Sequence, residues 1–203
     1  MITLLLAAQR SGLNRGTSGN ASFRSGGGFV ITPSAMAYDR MAATDLVAVD
    51  SEGLSTGLHR PSSEWLFHQR IYQHRADVDA VIHLHSPAAT ALSTLRLGIP
   101  PFHYMVAVAG GIDIRCSRYA TFGTDELADE AIVALTDRRA CLLANHGLIA
   151  CGDSVNQAYQ LAVEVESLAE QYLLARSVGE PVLLSEEEMH RVLAKFGDYR
   201  STP

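Results

Sequence analysis

The chain has 203 residues, 47% of them hydrophobic and 19% charged, with a formal net charge of -6 at pH 7. That length suits one domain over residues 1–203, and the composition is that of a soluble globular protein rather than a disordered or membrane one. A mildly acidic chain with no Lys/Arg cluster gains nothing from counterion release, so nucleic acid is not an expected partner.

Met1 to Ala8 is apolar but has no charged segment before it, and Gln9-Arg10 cuts it short of the roughly 20 residues a membrane span needs. It reads as a helix, and no membrane partner is expected. Gly16-Thr17-Ser18-Gly19-Asn20-Ala21-Ser22 is a run of small residues, expected as a loop that either cradles an anion with its amides or simply turns. Phe29 to Thr32 and Leu46 to Val49 are short β-branched runs bounded by turn residues, hence strands, with Asp50 to Gly53 a turn. After the first of them, Thr32-Pro33-Ser34-Ala35 offers a hydroxyl and amides to an anion, with a plain turn as the alternative.

Pro61-Ser62-Ser63-Glu64 opens an amphipathic stretch in which Trp65, Ile71 and Tyr72 face the core. Serines at a helix start either hold a phosphate or cap the helix. From Val78 to His85 the residues alternate with period two, so this is a strand that carries His83 and His85 on one face. Ser86-Pro87 starts a helix running to Leu97, and Thr124 caps another containing Leu127, Ile132 and Leu135. Two apolar strands, Cys141 to Ala144 and Leu148 to Cys151, flank Asn145-His146-Gly147. Asp153 is expected to cap a long helix that ends at Gly179 and Pro181, and Ser185 with Glu188 forms a capping box for the last one.

These elements interleave without βαβ spacing and without GxGxxG, which favours a mixed α/β layered domain over a Rossmann fold. Cys116, Cys141 and Cys151 are an odd set without CxxC spacing, read as reduced thiols of a cytoplasmic protein. Two histidines at i and i+2 on a strand, joined by one from a strand end, make a three-nitrogen face that suits zinc with a coordination position left open. Hydrogen-bonded core histidines are the alternative. Tyr104, Tyr119 and Tyr199 either donate protons or pack, and His59, His68, His74, His103 and His190 share no face and are read as solvated or structural.

Taken in order, GTSGNAS, ITPSA, SSEW, HLH, HYM, AGG, YATFGT, NHGLIAC and KFGDY resemble the class II aldolase family from about Gly12 to Tyr199. The resemblance implies a single three-layer αβα domain around a largely antiparallel sheet, with a mobile tail from about residue 197. It further implies a homotetramer with active sites at subunit interfaces and one zinc per chain, held by His83, His85 and His146 and touched by Glu64. Glu64 is then the acid/base, and Gly19 with Asn20, Ser34 with Ala35, and Ser62 with Ser63 hold the substrate phosphate. Tyr104 matches a tyrosine given by a neighbouring subunit and Tyr199 one in the tail. Ala35 departs from the family's usual glycine.

The implied reaction cleaves a ketose 1-phosphate, such as L-fuculose 1-phosphate, to dihydroxyacetone phosphate and an aldehyde such as L-lactaldehyde. The family also holds decarboxylases, dehydratases and epimerases acting on phosphorylated sugars or sugar acids. Glutamate at position 64, where ribulose-phosphate epimerases have aspartate, favours the aldolase. A non-enzymatic binding scaffold is the remaining reading, and the intact His/His/His/Glu set argues against it.

Overall fold

The computed structural model describes the backbone of residues 1–201 and the side chains of residues 1–197. In chain order the elements are α1 (Ile2–Arg10), β1 (Asn20–Ser25), β2 (Gly28–Ile31), β3 (Val47–Val49), β4 (Ser55–Thr56), α2 (Trp65–His74) and β5 (Ala80–Leu84). There follow α3 (Pro87–Thr94), β6 (Arg115–Cys116), α4 (Asp125–Ala134), β7 (Ala140–Leu143), β8 (Gly147–Gly152), α5 (Val155–Val178) and α6 (Glu186–Ser201). The strands form one sheet in the order β4-β3-β2-β1-β5-β8-β7-β6, antiparallel at every pairing except β6 with β7.

β5 lies inside this sheet, and all five of its residues are buried because helices cover both faces. Ala80, Ile82 and Leu84 join Leu5 of α1, Leu92 of α3, and Ala162 and Val165 of α5 in one apolar cluster. Val81 points the other way, into a second cluster with Phe67 and Ile71 of α2 and Leu127 and Ala131 of α4. The result is three layers, helices on both faces of a mostly antiparallel sheet. Among the described residues no helix is long and apolar enough to cross a membrane.

Several local expectations change. Asn20 to Ser25 is a strand, not the end of a loop, because Asn20 and Ser22 find buried side-chain partners and lose nothing by entering the sheet. Ser154, not Asp153, caps α5 by accepting from the Gln157 amide at 3.2 Å, while Asp153 pairs with Arg139 at 2.6 Å. Helix α3 stops at Thr94, short of Leu97, with Arg96 in the left-handed region at φ 57°. Half of the last capping box forms: Ser185 Oγ accepts from the Glu188 amide, and the Glu188 carboxylate goes to Arg191. Thr124 caps α4 as expected, accepting from the Leu127 amide. The two-residue strands β4 and β6 are too short to show a period.

Candidate metal centre and active site

His83 in β5 and His85 just beyond its end project from the same side of the strand, and the turn between β7 and β8 brings His146 to them. That turn is held by Ser93, whose carbonyl accepts from the Asn145 amide at 3.0 Å and whose hydroxyl accepts from the His146 amide at 3.2 Å. Asn145 sits at φ 56°, a conformation asparagine tolerates better than most residues. Gly147 is required by space: a Cβ there would stand 2.4 Å from the Leu84 carbonyl oxygen and 3.1 Å from the His85 ring. Without that close approach β8 could not pair with β5 at this end.

The three imidazole rings lie 4.7 to 4.9 Å apart, centroid to centroid, each nearly perpendicular to the others. One atom each from Glu64, His83, His85 and His146 falls within 4.8 Å of the rest. His83 Nδ1 lies 2.8 Å from the Leu148 carbonyl, which only accepts, so Nδ1 carries the proton and Nε2 presents its lone pair. That Nε2 is 2.9 Å from His85 Nε2 and 3.3 Å from Glu64 Oε2. Glu64 Oε1 lies 3.0 Å from His146 Nε2, yet it is buried and makes no hydrogen bond. Lone pairs and a carboxylate converging on one point are stable only around positive charge. Burial, with the neighbouring His83 and His146 rings adding to it, pushes His85 down to about 4, which keeps its ring neutral and able to donate to a metal. Burial alone would raise Glu64, but the adjoining His83 and His146 rings, which favour the charged carboxylate, outweigh it and hold the carboxyl below its usual range.

In front of this cluster opens a cavity of about 340 Å³. Gly19, Asn20, Ser34, Ala35, Ser62 and Ser63 line it together with Glu64, His85 and His146, so the three segments expected to grip phosphate meet at one place. Ser62 and Ser63 stand before α2 rather than in its first turn, because Glu64 is the N-cap. Ser62 Oγ accepts from the Glu64 amide at 3.3 Å, which leaves its hydroxyl hydrogen free to donate to a ligand. Gly19, at φ +76°, admits no side chain, since a Cβ would lie 2.6 Å from the His83 carbonyl. Tyr38 fastens this loop, donating to the Ser18 and Gly19 carbonyls at 3.0 and 2.9 Å. Ala35 sits at φ 56°, the left-handed region in which a glycine would be unstrained.

Two tyrosines stand apart. Tyr104 is half exposed, stacks on Phe196, and does not line the cavity of its own chain. The Tyr199 side chain lies outside the described residues. Phe122 and Asn145 line the cavity, though the sequence assigned them no part in a site, and so does Tyr119, which the sequence left as either a proton donor or a packing residue. His68, read as merely solvated or structural, is fully buried and hydrogen-bonded to Asn20, which in turn binds Glu64. Glu64, His68 and Tyr72 recur every four residues and Asn20 and Ser22 every two, so the signal was two periodic faces that meet in space.

Residues 1–173 match the family described as Class II Aldolase and Adducin N-terminal domain. The chain belongs to the class II aldolase family. It is 53% identical over 188 residues to a 5-methylthioribulose-1-phosphate/5-deoxyribulose-1-phosphate aldolase of Rhodospirillum rubrum, covering 93% of this chain and 85% of that one. It is 46% identical over 200 residues to an L-fuculose phosphate aldolase of Escherichia coli, covering 98% and 93%. A solved L-fuculose 1-phosphate aldolase superposes with a TM-score of 0.94 at 42% identity, over 97% of this chain and 93% of that one. The three-layer fold is thus that of the class II aldolases, and the chain is a lyase of this metal-dependent type.

Proposed function

We propose that the chain cleaves a ketose 1-phosphate between C3 and C4, giving dihydroxyacetone phosphate and an aldehyde, with one zinc ion per chain held by His83, His85 and His146. The observation that carries this reading is the convergence of three imidazoles and a buried carboxylate oxygen without a hydrogen bond at the floor of a cavity walled by small polar segments. Three nitrogen donors with room for a further ligand favour zinc over harder ions. When bound, the cation would polarise the substrate's oxygens as a Lewis acid and take up charge left by cleavage.

The chain's own residues supply the remainder. Ser62 and the amides near Gly19 and Ser34 orient the phosphate, which fixes C3 over Glu64. The carboxylate of Glu64 then moves the proton at C3, its Oε1 being the oxygen not engaged by Asn20. Tyr104, reaching in from a neighbouring subunit of a homotetramer, takes the C4 hydroxyl proton.

The relatives' names give two choices for the sugar: L-fuculose 1-phosphate, or a 5-deoxy- or 5-methylthio-ribulose 1-phosphate. The higher identity to the ribulose-type enzyme supports the second as a substrate to assay beside the first. A coupled assay that detects dihydroxyacetone phosphate from each of these ketose 1-phosphates tests the reading. In deuterated water, zinc-loaded protein given dihydroxyacetone phosphate alone should exchange one hydrogen of the hydroxymethyl carbon, and Glu64→Gln should abolish that exchange. Absence of exchange in the wild-type protein would return the site to a decarboxylase, dehydratase or epimerase. His85→Ala should lose the metal, and elemental analysis showing full occupancy would remove His85 from the ligand set.

A further inference from the structure

We propose that His68 is a positioning residue for Glu64, acting through Asn20. The inference rests on the reading of Glu64 as the proton carrier and goes further, to what aims the carboxylate. Four buried contacts run in line behind the site. Tyr72 Oη lies 2.7 Å from Ser22 Oγ, Ser22 Oγ 2.7 Å from His68 Nδ1, His68 Nε2 2.5 Å from Asn20 Oδ1, and Asn20 Nδ2 2.9 Å from Glu64 Oε2. His68 and Ser22 are fully buried, and Asn20 is 2% exposed.

Donor and acceptor logic gives the chain one direction. A carboxylate only accepts, so Asn20 must turn its amide nitrogen to Glu64 and its carbonyl to His68. His68 Nε2 must therefore carry the proton. With the ring neutral, Nδ1 accepts from the Ser22 hydroxyl, and Ser22 accepts in turn from Tyr72. Each donor faces Glu64, and none can turn over without leaving a buried polar atom unpaired.

The effect at the carboxylate is a division of labour between its oxygens. Oε2 is pinned by Asn20, while Oε1 makes no hydrogen bond. If the Asn20 amide turned over, its carbonyl would face the carboxylate, and Glu64 would rotate away from C3. His68 is the group that forbids this, since only a donor can face Asn20 Oδ1. One N–H of Asn20 is thereby committed to Glu64, so its part in holding phosphate falls to its other N–H.

The test compares His68→Gln, whose side-chain amide can still donate near the former Nε2 position, with His68→Leu, which fills the space without a donor. Both are checked for folding and metal content, then for exchange in dihydroxyacetone phosphate and for kcat and KM with a cleaved ketose 1-phosphate. The Leu variant should lose about 10- to 100-fold in exchange and in kcat, the range for groups supporting a site from behind, with KM within about threefold of wild type. The Gln variant should regain most of that loss. Equal rates in the Leu variant and the wild type, or equal losses in both variants, would overturn the proposal. Should the Leu variant fail to fold, Ser22→Ala leaves the ring in place and frees its tautomer, and an unchanged exchange rate there counts against the proposal. Nitrogen-15 NMR of the imidazoles decides independently of activity. His68 should be the Nε2–H form, and an Nδ1–H form would end the proposal even in an active enzyme. A correct tautomer in a protein with no wild-type exchange would instead place the failure in the aldolase reading.

Discussion

Ala35 carries a methyl group in a backbone conformation that glycine adopts freely, at the edge of the cavity where the phosphate is proposed to sit. The left-handed region costs a residue with a Cβ about 1 to 2 kcal/mol, partly offset because glycine loses more entropy on folding. Ala35→Gly should therefore stabilise the protein by about 1 kcal/mol, read from the urea midpoint at constant slope. The position of Ala35 was visible in the sequence as a departure from pattern, but its φ was not. His83 and His85 were legible because a strand's period puts i and i+2 on one face. His68 was not, because its role depends on β1 and α2 meeting across 48 residues of sequence.

At the scale of elements, Glu166 links two helices. From α5 its carboxylate accepts from Ser86 Oγ at 2.6 Å and from the Ala88 and Ala89 amides at 2.7 and 2.8 Å, so it closes the N-terminus of α3 that Ser86 does not cap itself. A carboxylate at that end also meets the helix dipole favourably. Glu166→Ala should destabilise the fold by about 2 to 3 kcal/mol, since hydrogen bonds to a charged group are lost and amides are left open. Denaturant unfolding checks this. Because Ser86 follows His85 directly, the same variant should also weaken retention of the metal against a chelator.

That cap shows what single-element reasoning can and cannot reach. Serine before proline rightly marked where α3 begins, while the acceptor came from a helix 80 residues away. Likewise β5, β7 and β8 were readable from apolar runs. β1 was not, because its polar inward residues look like loop until their partners are known. Asp153 and Ser154 both suit a cap, and the salt bridge to Arg139 decided between them.

For the whole molecule, the position of Tyr104 matters most. It is half exposed and away from its own chain's cavity, so a catalytic part for it requires a second copy. Glu64→Gln and Tyr104→Phe proteins should each be nearly inactive in cleavage. Unfolded together and refolded as a mixture, they should recover activity in about a quarter of the sites, the random share that pairs an intact Glu64 with an intact neighbouring Tyr104. A mixture no more active than its parents would place Tyr104 outside the reaction. Light scattering on the wild-type protein checks the proposed homotetramer separately.

His83 belongs to the middle of an eight-stranded sheet, whereas Ser34, Ala35 and Ser63 stand on exposed connections. Local opening draws on the least buried segments first, so these two halves of the site should not melt together. Amide exchange should be slow at β5 and β8 and fast at Ala35 and Met36. On gentle warming, affinity for the phosphorylated ligand should therefore fade while the metal stays bound, leaving a protein that has lost its grip on substrate before it has lost its fold.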